Sequence, residues 1–198
     1  GHIDLNTLGA NSGNDCWGWT DPATGKEYAL MGLNTGTSFI DISDLEFPRI
    51  VGFLPTHTTS SSWRDIKTYG NYAFIVSEAS NHGMQVFDLT RLTSVGSDVP
   101  PVTFTEDAHY NGFGKAHNIV INETQGYAYA VGTNTYSGGP HFVNISNPLN
   151  PVSEGGYGND AYSHDAQVVT YNGPDTDYTG KEILIGSNQN EVVIVDVT

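Results

Sequence analysis

Apolar and polar positions along the chain alternate in short runs, separated by clusters of Gly, Asn, Asp, Pro and Thr. One run recurs four times, as Thr37–Ser43, Met84–Thr90, Pro140–Ser146 and Glu191–Thr198. Each ends apolar, Asp or Asn, apolar, Ser or Thr, and each is dense in β-branched and aromatic residues, as a mostly buried strand should be. The Asp/Asn positions are 41, 88, 144 and 196, in steps of 47, 56 and 52 residues. A period of roughly 40–55 residues that holds several strands is the signature of propeller blades.

Reading outward from that strand predicts four β-meander units, over residues 16–55, 63–105, 116–157 and 164–198. In the first, Cys16–Trp19, Tyr28–Leu33, Thr37–Ser43 and Arg49–Leu54 are strands with Pro- or Gly-containing turns between them. In the second, Trp63–Lys67, Tyr72–Ser77, Met84–Thr90 and Val102–Thr105 play the same parts, the last after an insertion at 91–101. In the third they are Ala116–Ile121, Tyr127–Val131, His141–Ser146 and Val152–Tyr157. The fourth has His164–Thr170, Glu182–Gly186 and Val192–Thr198, and no fourth strand. Residues 1–15 are polar and predicted to be a lead-in, or a closing strand for the last unit. The expected architecture is an all-β propeller of four-stranded antiparallel blades, either a small ring or part of a larger one.

Composition agrees with this. Gly (23) and Tyr (11) are abundant and charged residues make up only 15%. Seven Lys and Arg against 22 Asp and Glu give a net charge of −15. Such a surface repels phosphate backbones and argues against nucleic acid as a partner. No apolar run approaches the length of a membrane span. A single cysteine, Cys16, excludes an internal disulfide, and beside Trp17 it is expected to be packed. Trp17, Trp19 and Trp63, with the many Tyr, are expected to pack between blades, with a sugar-stacking surface as the other reading.

Candidate chemistry collects at the first strands, which line the axis of a propeller. By position they carry Arg64 and Asp65, His117 and Asn118, and His164 and Asp165. His117 and His164 are 47 residues apart, about one blade, and should be neighbours. Two imidazoles with nearby Asp and Asn suit a divalent transition metal. The same residues also suit a structural role, pinning strand starts by hydrogen bonds to backbone. Asp175 and Asp177, alternating with Thr before Gly180, form a candidate calcium loop, with an acidic hairpin turn as the other reading. Asn122 and Asn144 fit the N-glycosylation pattern for a eukaryotic secretory protein. His57, His82 and His109 lie in connectors and are expected to be solvated, and His141 to begin a strand. No Gly-x-Ser-x-Gly elbow or phosphate loop is present.

Several of these stretches together carry a resemblance. The strand Val192–Val197 resembles the LVIVD repeat of bacterial surface proteins. Trp17–Pro22, Gly36–Ser43, Trp63–Lys67, Lys115–Ile119 and Ser163–Gln167 are together similar to the choice-of-anchor B family, over nearly the whole chain. That resemblance implies a secreted or cell-surface β-propeller tethered by a separate anchor. Three functions are therefore open: an extracellular binding or scaffold module for a protein or carbohydrate, a metal-dependent enzyme with an axial His site, and a subunit that self-assembles through open propeller edges.

Overall fold

The computed structural model describes residues 1–160 and 162–198 and is all-β. Four strands come first: β1 (Gly13–Thr20), β2 (Glu27–Leu33), β3 (Gly36–Asp41) and β4 (Arg49–Pro55). Next are β5 (Arg64–Tyr69), β6 (Tyr72–Ser77), β7 (Met84–Asp88), the one-turn helix α1 (Thr90–Thr93), β8 (Val102–Thr103) and β9 (Ala108–Tyr110). The chain continues through β10 (Asn118–Asn122), β11 (Tyr127–Val131), β12 (His141–Asn144) and β13 (Val152–Gly156). It ends in β14 (Ser163–Thr170), β15 (Glu182–Asn188) and β16 (Val192–Asp196). These form four sheets in chain order: β1-β2-β3-β4-β8, β5-β6-β7-β9, β10-β11-β12-β13 and β14-β15-β16. Every pairing is antiparallel except that of β4 with β8.

The recurring Asp/Asn has a local cause. Asp41 accepts a hydrogen bond from the Ser43 amide, Asp88 from Thr90, Asn144 from Ser146 and Asp196 from Thr198, at 2.9–3.1 Å. Each is a turn in which the side chain takes the place of a backbone acceptor. It stops the third strand at the same point in all four sheets.

The sheets stack face to face, with apolar layers between them. Trp19, Leu30, Phe39 and Leu54 of the first sheet meet Ile66, Ile75 and Phe87 of the second. Phe74, Val76 and Val86 of the second meet Ile119, Ala128 and Val143 of the third. Val120, Tyr129 and Val131 of the third meet Ala166 and Leu184 of the fourth. Ile75 thus serves one layer, and its neighbours Phe74 and Val76 the other. A strand covered on both faces is apolar throughout, not alternating. The fourth sheet has cover on one face alone, and its Ile185, Val192 and Ile194 are exposed. First strands pack beside first strands, β1 by β5, β5 by β10 and β10 by β14.

The structure departs from the sequence pattern at four places. Val102–Thr103 is not the fourth strand of the second sheet. It runs parallel to β4 at the edge of the first sheet, and Ala108–Tyr110 takes the fourth place in the second. Phe104 causes the diversion: it is buried against Phe39 and Phe87, at centroid distances of 5.9 and 5.0 Å. Gly52 permits it, because a Cβ there would meet the Val102 carbonyl and the Phe104 ring. Segment 102–110 is therefore a strap across the first two sheets. Second, residues 1–12 are turns and coil, not a strand closing the last sheet, and Ile3, Leu5 and Leu8 border a groove with Met31 and Ile40 of the first sheet. Third, Cys16 is exposed rather than packed, because β1 is an edge strand. Fourth, Trp17 and Trp63 are partly exposed, and Trp19 alone of the three tryptophans is core. No helix among the described residues is long and apolar enough to cross a membrane.

Candidate functional site

The starts of the first strands are tied to one another. Asp15 accepts from the Ile66 amide at 3.0 Å, and Asp65 from the Ile119 amide at 2.7 Å. Asn118 donates to the His164 carbonyl at 3.0 Å. Each polar residue thus reaches from one first strand to the backbone of the next, which satisfies groups that no ladder reaches. Lys67 lies 2.6 Å from Asp65 and 3.6 Å from Asp15. Burial, with the Asp15 carboxylate beside it, pushes the Asp65 carboxyl up to about 7. Asp165 accepts only locally, from the Ala166 amide.

Of the four residues expected in an axial pocket, Arg64, Asp65, Asn118 and Asp165, none lines the cavity between the first strands. That cavity, about 80 Å³, is bordered by Trp17, Lys67, Thr68, Ile121, Glu123 and Gln167 among others. Arg64 is fully buried. Its Nε donates to the Leu33 carbonyl at 3.0 Å and its Nη1 to His82 Nε2 at 3.1 Å. Burial lowers its pKa to about 10, still charged at neutral pH. Arg64 therefore belongs to the junction of the first two sheets, away from the cavity between the first strands.

His117 and His164 are neighbours, with ring centroids 4.3 Å apart. His117 Nδ1 is 2.6 Å from Glu78 Oε1, and Trp63 lies 5.8 Å from the His117 ring. A carboxylate only accepts, so His117 Nδ1 carries a proton and donates it to Glu78, and Nε2 takes no part in that contact. His164 and Trp63 are exposed, and this makes an open mouth with one carboxylate, two imidazoles and an indole.

A second cluster was not foreseen. His57, from the connector between β4 and β5, and Glu106 and His109, from the strap, present ligand atoms within 4.8 Å of one another. His57 Nδ1 is 2.8 Å from Glu106 Oε1, and the other oxygen of Glu106 accepts from Gln85 Nε2 at 2.6 Å. The rings of His57 and His109 stack at 3.7 Å, with planes 9° apart. His109 Nε2 donates to the His82 carbonyl at 2.7 Å. Gly83, at φ +61°, lets that ring lie close: a Cβ there would come 2.9 Å from His109 Nε2. His82 is fully buried rather than solvated. Its pKa falls to about 4, first through burial and then through Arg64. Arg64 can only donate, so His82 is neutral with its proton on Nδ1, toward the Gly83 carbonyl. Among the described residues, no other three His, Cys, Asp or Glu side chains gather this closely. The sequence carried no periodic sign of the cluster, because its members meet only through the diverted strap.

The other predicted sites fare differently. Asp175 spends its carboxylate on the Asp177 amide in a short exposed 3-10 turn, the hairpin reading. Among the described residues, neither Asp175 nor Asp177 joins a cluster of three possible ligands. Asn122 is buried, which removes it as a glycosylation acceptor, since its Oδ1 takes the Thr124 amide and its Nδ2 faces the interior. Asn144 is half-buried in its turn. His141 does begin a strand, buried between Tyr110 and Thr135.

No family model matches the chain, and no curated protein matches it. Among solved structures it is similar to the hydrazine synthase of Kuenenia stuttgartiensis, with a TM-score of 0.57 at 13% identity. The match covers 86% of this chain and 43% of that one, so the chain spans under half of its neighbour's length. At that identity the likeness concerns the fold alone.

Proposed function

We propose that the chain is an arc of a β-propeller that serves as a non-enzymatic binding or scaffold module of a secreted or cell-surface protein. Its ligand site is the mouth formed by Trp63, Glu78, His117 and His164. The observation that supports this reading is the approach of His117 and His164 to 4.3 Å across two sheets, beside a half-exposed indole. An exposed indole with a carboxylate and imidazoles nearby offers a stacking face and hydrogen-bond partners. That chemistry suits a sugar ring or an aromatic or basic side chain of a partner protein. The acidic surface and the four-fold repeat support the extracellular part of the reading, in line with the resemblance to choice-of-anchor B proteins.

The test is a titration followed by tryptophan fluorescence, with soluble polysaccharide fragments and basic peptides as probes. Saturable binding by either class that is lost in both Trp63→Ala and His117→Ala, with unchanged circular dichroism, supports the proposal. Turnover of a hydrolysable or redox substrate that vanishes in His117→Ala, with the fold intact, sinks it in favour of an enzyme. So does a complete lack of binding to both probe classes.

A further inference from the structure

We propose that His57, Glu106 and His109 form a binding site for one divalent transition-metal ion, zinc by preference, which fastens the strap to the β4–β5 connector. The site is separate from the axial mouth and does not rest on the reading given to it. First, two imidazoles and one carboxylate are the donor set of three-ligand zinc sites. Ligand atoms around a tetrahedral zinc stand about 3.4 Å apart at metal–ligand distances of ~2.1 Å. One ligand atom from each residue already lies within 4.8 Å of the others, so gathering them round an ion asks for a contraction of at most about 1.4 Å.

Second, hydrogen bonds already set the ligands' protonation. His109 donates from Nε2 to a peptide carbonyl, which can only accept, so Nδ1 is the nitrogen left to bind an ion. Glu106 is oriented by Gln85 through the oxygen that does not face His57. Outer partners of this kind fix ring and carboxylate orientation at metal sites. Without metal, the proton on His57 Nδ1 bridges to Glu106. The incoming ion takes that proton's place and releases it to solvent. His57 must also turn, because two parallel rings cannot both direct lone pairs at one ion. It is exposed on a connector and free to do so.

Third, the surroundings leave room for a further ligand. A groove of about 220 Å³ opens beside His57 and Glu106, lined also by Leu54, Pro55, Gln85 and Phe104. A fourth position facing that groove would hold water or a small anion. The buried Arg64 cation contacts His82, whose carbonyl accepts from His109, and Glu106 places a negative charge beside His57.

The test uses the whole protein, stripped with chelator and titrated with ZnCl₂ by calorimetry and with CoCl₂ by visible absorption. The expected result is one ion per chain, with cobalt d–d bands. His57→Ala, Glu106→Gln and His109→Ala should each weaken binding at least tenfold, and Gln85→Leu about tenfold. His2→Ala should leave it unchanged. Glu106→Gln keeps a partner for Gln85, so it separates loss of a ligand from loss of fold, which circular dichroism and Tm check. In ¹⁵N-histidine spectra His109 should bind through Nδ1 while Nε2 stays protonated. No saturable binding below about 1 mM overturns the proposal. So does stoichiometric binding that survives His57→Ala and His109→Ala but is lost in His117→Ala, which would place the ion on the axis.

Discussion

The molecule holds two pairs of close imidazoles, and they arise in opposite ways. His117 and His164 occupy equivalent places one repeat apart, and the stacking of sheets brings them to 4.3 Å. His57 and His109 occupy no equivalent places. They meet because segment 102–110 leaves the first sheet and crosses to the second, so that the rings stack at 3.7 Å. The first pair is a product of periodicity, and the second of a departure from it. Their settings differ too. The first pair opens to solvent, with Glu78 as the carboxylate that His117 contacts. The strap pair is backed by Glu106, Gln85 and the buried His82–Arg64 contact. Repetition has built an exposed face, and irregularity a supported one.

If the strap pair depends on Phe104, removing that ring should undo it. Phe104→Ala should cost about 3–5 kcal/mol, read by urea unfolding, as for other buried aromatic truncations. It should also weaken zinc binding, while His117 keeps its contact with Glu78. Retention of full zinc affinity would mean that the strap is held by other contacts.

Acid should act first on the strap side. His82 has a folded pKa of about 4, below the ordinary 6.5, so the folded protein binds fewer protons than the unfolded chain between those values. Its contribution is present above pH 6.5 and lost as pH falls through about 4, on the order of 3 kcal/mol. His82→Gln, which cannot titrate, should show a shallower loss of Tm over that window than the wild type. Equal slopes would show that His82 is protonated in the folded state.

Asp65 should act in the other direction. Its folded pKa of about 7 lies above the unfolded value of 3.8, so its contribution is present below pH 3.8 and is lost as pH rises through about 7. Asp65→Asn keeps an acceptor for the Ile119 amide and removes the buried charge. It should gain about 1–2 kcal/mol relative to wild type between pH 4 and 8, with Lys67 offsetting part of the effect. A variant that is less stable at pH 8 than at pH 4, as the wild type should be, would count against this.

The smallest effect belongs to the His117–His164 pair. His117→Ala should cost under ~1 kcal/mol, because its pair with Glu78 is partly exposed and such pairs add little. A cost of several kcal/mol would make His117 a structural residue and weaken its claim to a ligand.

Strand positions, the four-fold repeat and the His117–His164 approach were legible because they follow from side-chain period and repeat length, which are local. The turn at each recurring Asp or Asn is also local, made within three residues. What the linear pattern hid was pairing. Val102–Thr105 has the look of a strand whichever sheet it joins. Its partner was chosen by Phe104 packing between Phe39 and Phe87, and by Gly52 leaving room. The burial of His82 and Arg64 was hidden for the same reason. A histidine in a Gly-flanked loop is solvated unless a neighbouring sheet covers it.

Amino-acid order alone was therefore enough for the recurring strands, their spacing and the turns that end them, since these depend on contacts between near neighbours and on a repeated length. Which edge the strap would join, and so which imidazoles would meet beside Glu106, depended on packing among residues as far apart as Phe39 and Phe104. No short window of the chain contains that competition.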